Sequence, residues 1–598
     1  MKNSLKYLTK DGRLSFVLFS YEEKKMKLVI AEKPSVAQTI AKVIGATKKK
    51  EGYYEGGGYR VSWCIGHLVQ MSNPETYDER YKRWNLDDLP IIPSHYRYEV
   101  SKKTKQHFQL LKKLMNKKDT KSLINACDAG REGESIFRLV YNQAQCKKFV
   151  ERLWISSMED KAIEVGFKNL KDSQFYDGLF ESSQARSIAD WLVGMNLSRL
   201  YSCLYRQPYS VGRVQTPTLA MIVKRDDEIL QFKKQKYYTV EVMGKNLTLS
   251  TERLDEKMIA QLIMDLVGES IQITESLREE VVTRPELPFD LTSLQRECNH
   301  YFGYSAQKTL DLAQSLYEKK YITYPRTDSR YLTEDMLDSI VNGIIGMNDF
   351  DESRLKIVFN SKKVSDHHAI IPTVSSLTKN ISRLSEEERQ VYCLIGNKLH
   401  ASVGYPLVEE KRKIIAKIED FTFVKSWKVI VDEGFTRYLR AFQHPINDQS
   451  FPDLNVGDVI SVHKKEIKEK YTKPVQHFTE ESLLKAMEMA GKEGLQKGIE
   501  VERKGLGTPA TRAGIIENLI SKGLVERYRK YLLATHKGVG LITVVSDTFK
   551  SATTTSKWEM ELTRIAQGKA TKEEFLRSLE EEIKSTIQQY QQDNVKAD

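Results

Sequence analysis

Two stretches of this chain repeat one order of events: an apolar strand, a sharp polar turn, an amphipathic helix. Lys27-Leu-Val-Ile-Ala31 carries apolar side chains on both faces. Alternate side chains of a strand point to opposite sides, so such a strand is interior, as in a parallel sheet covered by helices on both faces. Glu32-Lys-Pro34 turns the chain. Val36, Ala37, Ile40, Ala41 and Ile44 then recur at helical spacing, with Ser35 as N-cap and Gly45 as stop. The second unit runs from Ser122 to Cys127, turns through Asp128-Ala-Gly-Arg-Glu-Gly-Glu134, and enters a helix carrying Ile136, Phe137, Leu139 and Val140. These units commit the first part of the chain to an α/β sheet. They also fix where a site belongs, because open α/β sheets bind ligands beyond the carboxyl ends of their strands.

Glu32 falls at the first of those ends, and Asp128, Glu132 and Glu134 crowd the turn at the second. Like charges this close are unfavourable unless a cation joins them. Carboxylate oxygens suit Mg²⁺, which keeps several waters and often binds phosphate as well. No G-x-x-x-x-G-K-[ST] loop occurs, so nothing in the sequence points to nucleoside triphosphate chemistry. A chain of 598 residues is too long for one core and suits about three to five domains. Its net charge of +12 favours a polyanionic partner. Six cysteines without a C-x-x-C pair read as reduced thiols rather than a zinc site. No apolar run reaches the roughly 20 residues that span a bilayer. The apolar run Phe16–Phe19 is too short for a signal peptide. We expect Met26 to be the native start, or residues 1–25 to be a loosely held extension.

A further stretch, Tyr321-Ile-Thr-Tyr-Pro-Arg-Thr-Asp-Ser-Arg-Tyr-Leu332, reads as a short strand stopped by Pro325. A phenol with a pKa near ~10 attacks phosphorus poorly unless its phenolate is stabilised. The guanidinium of Arg326 can do that, and can hold phosphate oxygens through its planar fork. Later, Asp366-His-His-Ala-Ile-Ile-Pro372 offers a histidine able to pass a proton near neutral pH. Ser210-Val-Gly-Arg-Val-Gln-Thr-Pro217 pairs a permissive glycine with Arg213 for phosphate and Gln215 for a base edge or sugar. Arg186 and Asp190 stand i, i+4 on a helix and suit a simple pair. Thr508 caps a helix with Pro509 at its first position. A basic hairpin, Leu524 to Ala534, follows that helix and resembles a winged-helix unit, with Thr511 and Arg512 as phosphate contacts.

I-T-Y-x-R-T-D-S resembles the active-site signature of the type IA DNA topoisomerases. D-x-x-R-E-G-E, with Glu32, resembles their Toprim domain, and S-x-G-R-V-Q a strand-contact motif of the same family. G-H-L at Gly66–Leu68, followed by Y-x-x-W and L-P-I-I-P, looks like the topoisomerase III branch. The resemblance implies a multidomain α/β, α and β toroid with an N-terminal Toprim domain at 26–165. It implies a DNA-binding helical and winged-helix-like domain at 166–225 and 455–585, and a β-rich hinge at 226–287 and 396–454. A gate domain at 288–395 and a polar tail at 586–598 complete it. Tyr324 is the implied nucleophile, joined to a 5′ phosphate and assisted by Arg326, Glu32, Lys33 and His367. Mg²⁺ is implied at Glu32, Asp128 and Glu132. DNA contacts are implied at His67, Arg186, Ser210, Val211, Gly212, Arg213, Val214, Gln215, Thr511 and Arg512. The family's second aspartate is Gly130 here, which removes one ligand and predicts weaker Mg²⁺ binding. The implied protein is a monomeric, ATP-independent enzyme of the cytoplasm and nucleoid, acting on single-stranded and negatively supercoiled DNA, relaxing or decatenating it. A helicase or single-strand-binding partner stays open, as do two alternatives: another Toprim nuclease or primase, and a non-catalytic single-strand binder.

Overall fold

The computed structural model describes residues 5–8, 14–17, 25–155, 158, 160–346, 350–364, 367–442, 452–491 and 505–595. Expectations for the rest of residues 1–24, for Ser156 and Ser157, and for Asp366 lie outside the described residues. Leu5–Leu8 and Leu14–Val17 pair as antiparallel strands. The chain divides into two compact units: Met1–Arg83 with Ile91–Leu192 and Leu562–Glu581, and Trp84–Pro90 with Val193–Glu561 and Glu582–Asp598.

The first unit is built on a seven-stranded sheet. In chain order its strands are β1 (Met26–Ala31), β2 (Lys48–Lys50), β3 (Tyr53–Gly56), β4 (Tyr59–Trp63), β5 (Thr120–Ala126), β6 (Val150–Arg152) and β7 (Lys171–Asp172). Their order across the sheet is β7-β6-β5-β1-β4-β3-β2. β1 is central and parallel to both neighbours, with Val29 opposite Val61 and Ile124. Its alternation feeds two cores. Leu28 and Ile30 pack with Phe108, Leu111 and Phe137, while Val29 and Ala31 pack with Val36, Ile40 and Ile124. Helix α1 (Pro34–Val43) starts one residue before the expected cap: Lys33, extended, is the N-cap, and Ser35 lies inside. The reason is Pro34, whose fixed φ suits the first helical position and whose missing N–H costs nothing there. Gly45, at φ +75°, ends the helix as expected. α2 (Lys105–Asn116) and α3 (Arg131–Gln143) cover the sheet, and α4 (Asp177–Tyr205) follows.

In the second unit α5 (Gln215–Leu230) leads into a second seven-stranded sheet. Its strands are β8 (Lys236–Met243), β9 (Thr248–Thr251), β10 (Ser270–Thr283), β11 (Leu407–Ile418), β12 (Phe421–Asp432), β13 (Val459–Ser461) and β14 (Lys464–Tyr471). β10 and β11 pair antiparallel from Ile273 opposite Ala416 to Thr283 opposite Leu407. Strands from two distant segments therefore share one sheet. The intervening chain forms a helical core around α6 (Leu291–Phe302), α7 (Ala306–Glu318) and α8 (Glu386–Val403), with Phe289, Leu294, Leu316, Ile322 and Leu394 inside. Further on come α9 (Glu480–Met489), α10 (Pro509–Ser521), the hairpin β15 (Val525–Tyr528) and β16 (Tyr531–Ala534), and α11 (His536–Val544). Among the described residues no helix is long and apolar enough to cross a membrane.

Candidate active site

Two constellations hold the candidate residues, one in each unit. In the first, Glu32 ends β1 and Asp128 follows β5. The Asp128 backbone N–H donates to Glu32 Oε2 at 3.4 Å. The Lys33 ammonium joins both carboxylates, 2.9 Å from Asp128 Oδ2 and 3.3 Å from Glu32 Oε1. Burial, and then the charge of Asp128, push the Glu32 carboxyl above its usual range. His67 meets Glu132 at 2.5 Å. That hydrogen bond lifts the imidazole above its ordinary value despite burial. The resemblance implies His67 on DNA; here its ring meets Glu132, which lies in the first turn of α3.

Glu134 departs from the acidic crowd read off the sequence. It is fully buried, with Arg138 Nε at 2.8 Å and Arg152 Nε at 3.0 Å. Asn125 Nδ2 also donates to it at 2.9 Å. It anchors α3 and is no candidate ligand. Arg152 is not among the residues the sequence singles out, since in Val150-Glu-Arg152 it follows another charged residue and belongs to no motif. Its guanidinium is fully buried and donates to the carbonyls of Cys127 at 2.6 Å, Leu153 at 2.9 Å and Asp128 at 2.6 Å. It thereby pins the carboxyl end of β5 where Asp128 emerges. Gly133 has a comparable role: a Cβ there would stand 2.1 Å from the Asp128 carbonyl oxygen.

Among the described residues no three His, Cys, Asp or Glu side chains already converge on one point as a metal cage. Lys33 stands between two of the expected ligands instead. The donor set nonetheless fits a hard cation. Its atoms are carboxylate oxygens, and Glu32 and Asp128 are held close enough to share one ammonium, as a hard cation would require.

In the second unit Tyr324 lies on an extended stretch strapped to residues 367–373. Ile322 forms a sheet-like bridge to Pro372. Thr323 adds two hydrogen bonds: its N–H donates to Ile371 O at 2.9 Å, and its hydroxyl to Ala369 O at 3.0 Å. Thr327 Oγ1 donates to His367 O at 2.8 Å. The strapping sets the Tyr324 ring 4.6 Å from His367 and 5.3 Å, edge to face, from Tyr317. The two adjacent histidines separate in role. His368 donates from Nδ1 to Ala369 O at 2.9 Å, and burial pushes it down to about 4. Arg326 is exposed at the turn after Pro325.

The strand-contact motif divides in the same way. Ser210, Gly212, Val214 and Gln215 are half-buried, while Val211 is buried. Two arginines read as phosphate contacts take other places. Arg213 is buried and paired with Glu559 at 2.7 Å. Arg512 is buried, donating to Thr292 Oγ1 at 2.7 Å and Leu506 O at 3.1 Å. In both cases the guanidinium satisfies an internal acceptor. Thr511 is exposed and closes a capping box with Thr508. Arg186 stands 4.0 Å from Asp190.

A family model described as DNA topoisomerase matches residues 174–577, and a Toprim domain model matches residues 27–158. The chain is 38% identical to DNA topoisomerase 3 of Bacillus licheniformis, across 95% of this chain and 83% of that protein. It is 37% identical to DNA topoisomerase 3 of Bacillus subtilis over the same shares. Its fold is similar to the full-length topoisomerase I of Thermotoga maritima, with a TM-score of 0.70, 24% identity, and coverage of 94% of this chain and 90% of that one.

Proposed function

From a chain that belongs to the bacterial type IA DNA topoisomerases, in their topoisomerase III branch, we infer which residues carry the reaction. The enzyme is ATP-independent and cuts and reseals one DNA strand through a 5′-phosphotyrosine intermediate. In the proposed assignment Tyr324 Oη attacks the phosphorus. Its O–P bond forms as the bond to the 3′ oxygen breaks, and the released 3′ hydroxyl takes a proton. One phosphoester replaces another, so the energy for resealing stays in the adduct. His367 receives the phenol proton and Arg326 stabilises the growing charge on phosphate. Lys33 or Glu32 supplies the proton to the 3′ oxygen; the raised Glu32 carboxyl supports that role.

The Toprim domain is in general a metal-binding fold. Glu32, Asp128 and Glu132 would hold Mg²⁺, which would neutralise phosphate charge and align the ends for resealing. Single-stranded or negatively supercoiled DNA is the proposed substrate, bound by Ser210, Gln215 and Thr511 among others, with relaxation or decatenation as the outcome.

The observation that carries the assignment is the His367 ring 4.6 Å from Tyr324, on a stretch fixed by Thr323 and Thr327. The test is a plasmid relaxation series with wild type and Tyr324→Phe, with and without Mg²⁺, beside denaturing gels of end-labelled oligonucleotide. We expect the variant to bind the oligonucleotide, form no covalent adduct and relax nothing. An adduct that persists in Tyr324→Phe would move the nucleophile elsewhere. Strand cleavage without any adduct would favour a Toprim nuclease.

A further inference from the structure

A cluster of polar side chains at the start of α5 and the end of α10 has an excess of donors. Lys522 Nζ donates to Ser210 Oγ at 2.7 Å and lies 3.4 Å from Gln215 Oε1. Gln215 Nε2 donates to the same hydroxyl at 3.1 Å. Asn518 Nδ2 donates to Gln215 Oε1 at 3.3 Å. Lys537 Nζ donates to Lys522 O at 3.0 Å.

The Ser210 hydroxyl oxygen and the Gln215 carbonyl oxygen each accept twice, while the two ammoniums carry more protons than these contacts use. Ser210 Oγ accepts twice, so its own proton points elsewhere. Each ammonium has three protons, and the Asn518 amide nitrogen two; Gln215 Nε2 uses its second on Ser210 O at 3.4 Å. Among the described residues neither Lys522 nor Lys537 pairs with a carboxylate. Burial, and then the Lys537 charge, hold the Lys522 ammonium below its ordinary value, so the pair is incompletely compensated. The amino end of α5, a helix of 16 residues, adds its positive dipole at Gln215. Donors, positive charge and partial burial together call for an anion that only accepts.

We propose that Ser210, Gln215, Asn518, Lys522 and Lys537 form a seat for one backbone phosphate of single-stranded DNA, with the two lysines supplying its charge. This rests on the reading of the enzyme as one that grips a single strand, and it adds residues that the strand-contact motif does not contain. A phosphodiester fits the donor set because its two free oxygens accept and cannot donate.

The test uses the full chain and an oligonucleotide in which one phosphate at a time is a neutral methylphosphonate. Binding is followed by fluorescence anisotropy across a salt series. For wild type we expect one position whose neutralisation weakens binding about tenfold. In Lys522→Met and Lys537→Met that penalty shrinks, overall affinity falls about threefold to tenfold regardless of base sequence, and the slope of log K against log salt drops by about 0.7. Lys522→Arg, which keeps the charge, restores the slope, and melting curves identify any variant that is simply unfolded. If both methionine variants keep the wild-type position effect and slope, the seat is wrong while strand binding stands. If wild type binds no single strand at all, the underlying reading fails with it. Inorganic phosphate, added at constant ionic strength, should not displace the oligonucleotide; displacement below millimolar concentration would reassign the cluster to a free anion and overturn the proposal.

Discussion

Arg152 and Gly133 show how much of the acidic site depends on residues that bind nothing themselves. Breaking a buried ion pair leaves an uncompensated charge and costs about 3–5 kcal/mol. Arg152→Gln still leaves Arg138 on Glu134, so we expect the lower end, about 3 kcal/mol, with part recovered by Glu134→Gln in the same chain. Denaturant unfolding of the single and double variants checks this, and a loss within ±0.5 kcal/mol would contradict the pinning role. His368 gives a pH signature. Its ring titrates near 6.5 when unfolded and about 4 when folded. As pH falls the unfolded chain binds the proton first. The stability due to the neutral ring is therefore whole above about pH 6.5 and drains away toward pH 4. His368→Gln should flatten that interval relative to wild type; parallel stability curves would refute the assignment.

The turns and caps that hold these residues act at the scale of elements. Gly130, the N-cap of α3, has extended backbone at φ −168° that an aspartate can adopt. Gly130→Asp adds a carboxylate beside Glu32 and Asp128, so the Mg²⁺ concentration at half-maximal relaxation should fall severalfold. An unchanged Mg²⁺ titration would mean that this position does not face the cation. Arg213 fastens the loop before α5 to Glu559, and Thr555 Oγ1 donates to its carbonyl at 2.9 Å. Arg213→Met should therefore destabilise by about 3 kcal/mol while leaving the salt slope of strand binding as in wild type. That is the opposite pattern to Lys522→Met, and a lowered slope would return Arg213 to the list of phosphate contacts.

Chain connectivity matters at the scale of the molecule. The first unit is closed by residues 562–581, far along the sequence from its sheet. Ser182 Oγ donates to Leu562 O at 2.7 Å, and Leu562, Ile565, Phe575, Leu576 and Leu579 are buried. Five such side chains, at about 1.5–3 kcal/mol each, amount to on the order of 10 kcal/mol, the scale of a domain's whole stability. A protein ending at Glu561 should lose the trypsin resistance of residues 26–192. Wild-type protection in that truncation would show that the strap is dispensable.

The sequence by itself determined the elements whose signal is local. Alternation on both faces of β1 specified an interior parallel strand, and the turn chemistry after β1 and β5 put the carboxylates at the right ends. Y-P-R and the adjacent histidines offered candidates for a second site through the chemistry their side chains can perform. Only the tertiary structure decided the partners of each charge. Glu134, Arg213 and Arg512 look like surface chemistry in one dimension, yet each meets its counter-group from another segment, up to 346 positions away for Arg213. Sequence spacing reports which groups share a turn or a face. Whether a guanidinium ends on a carboxylate inside or on a phosphate outside depends on how distant segments pack, and that packing closes only in three dimensions.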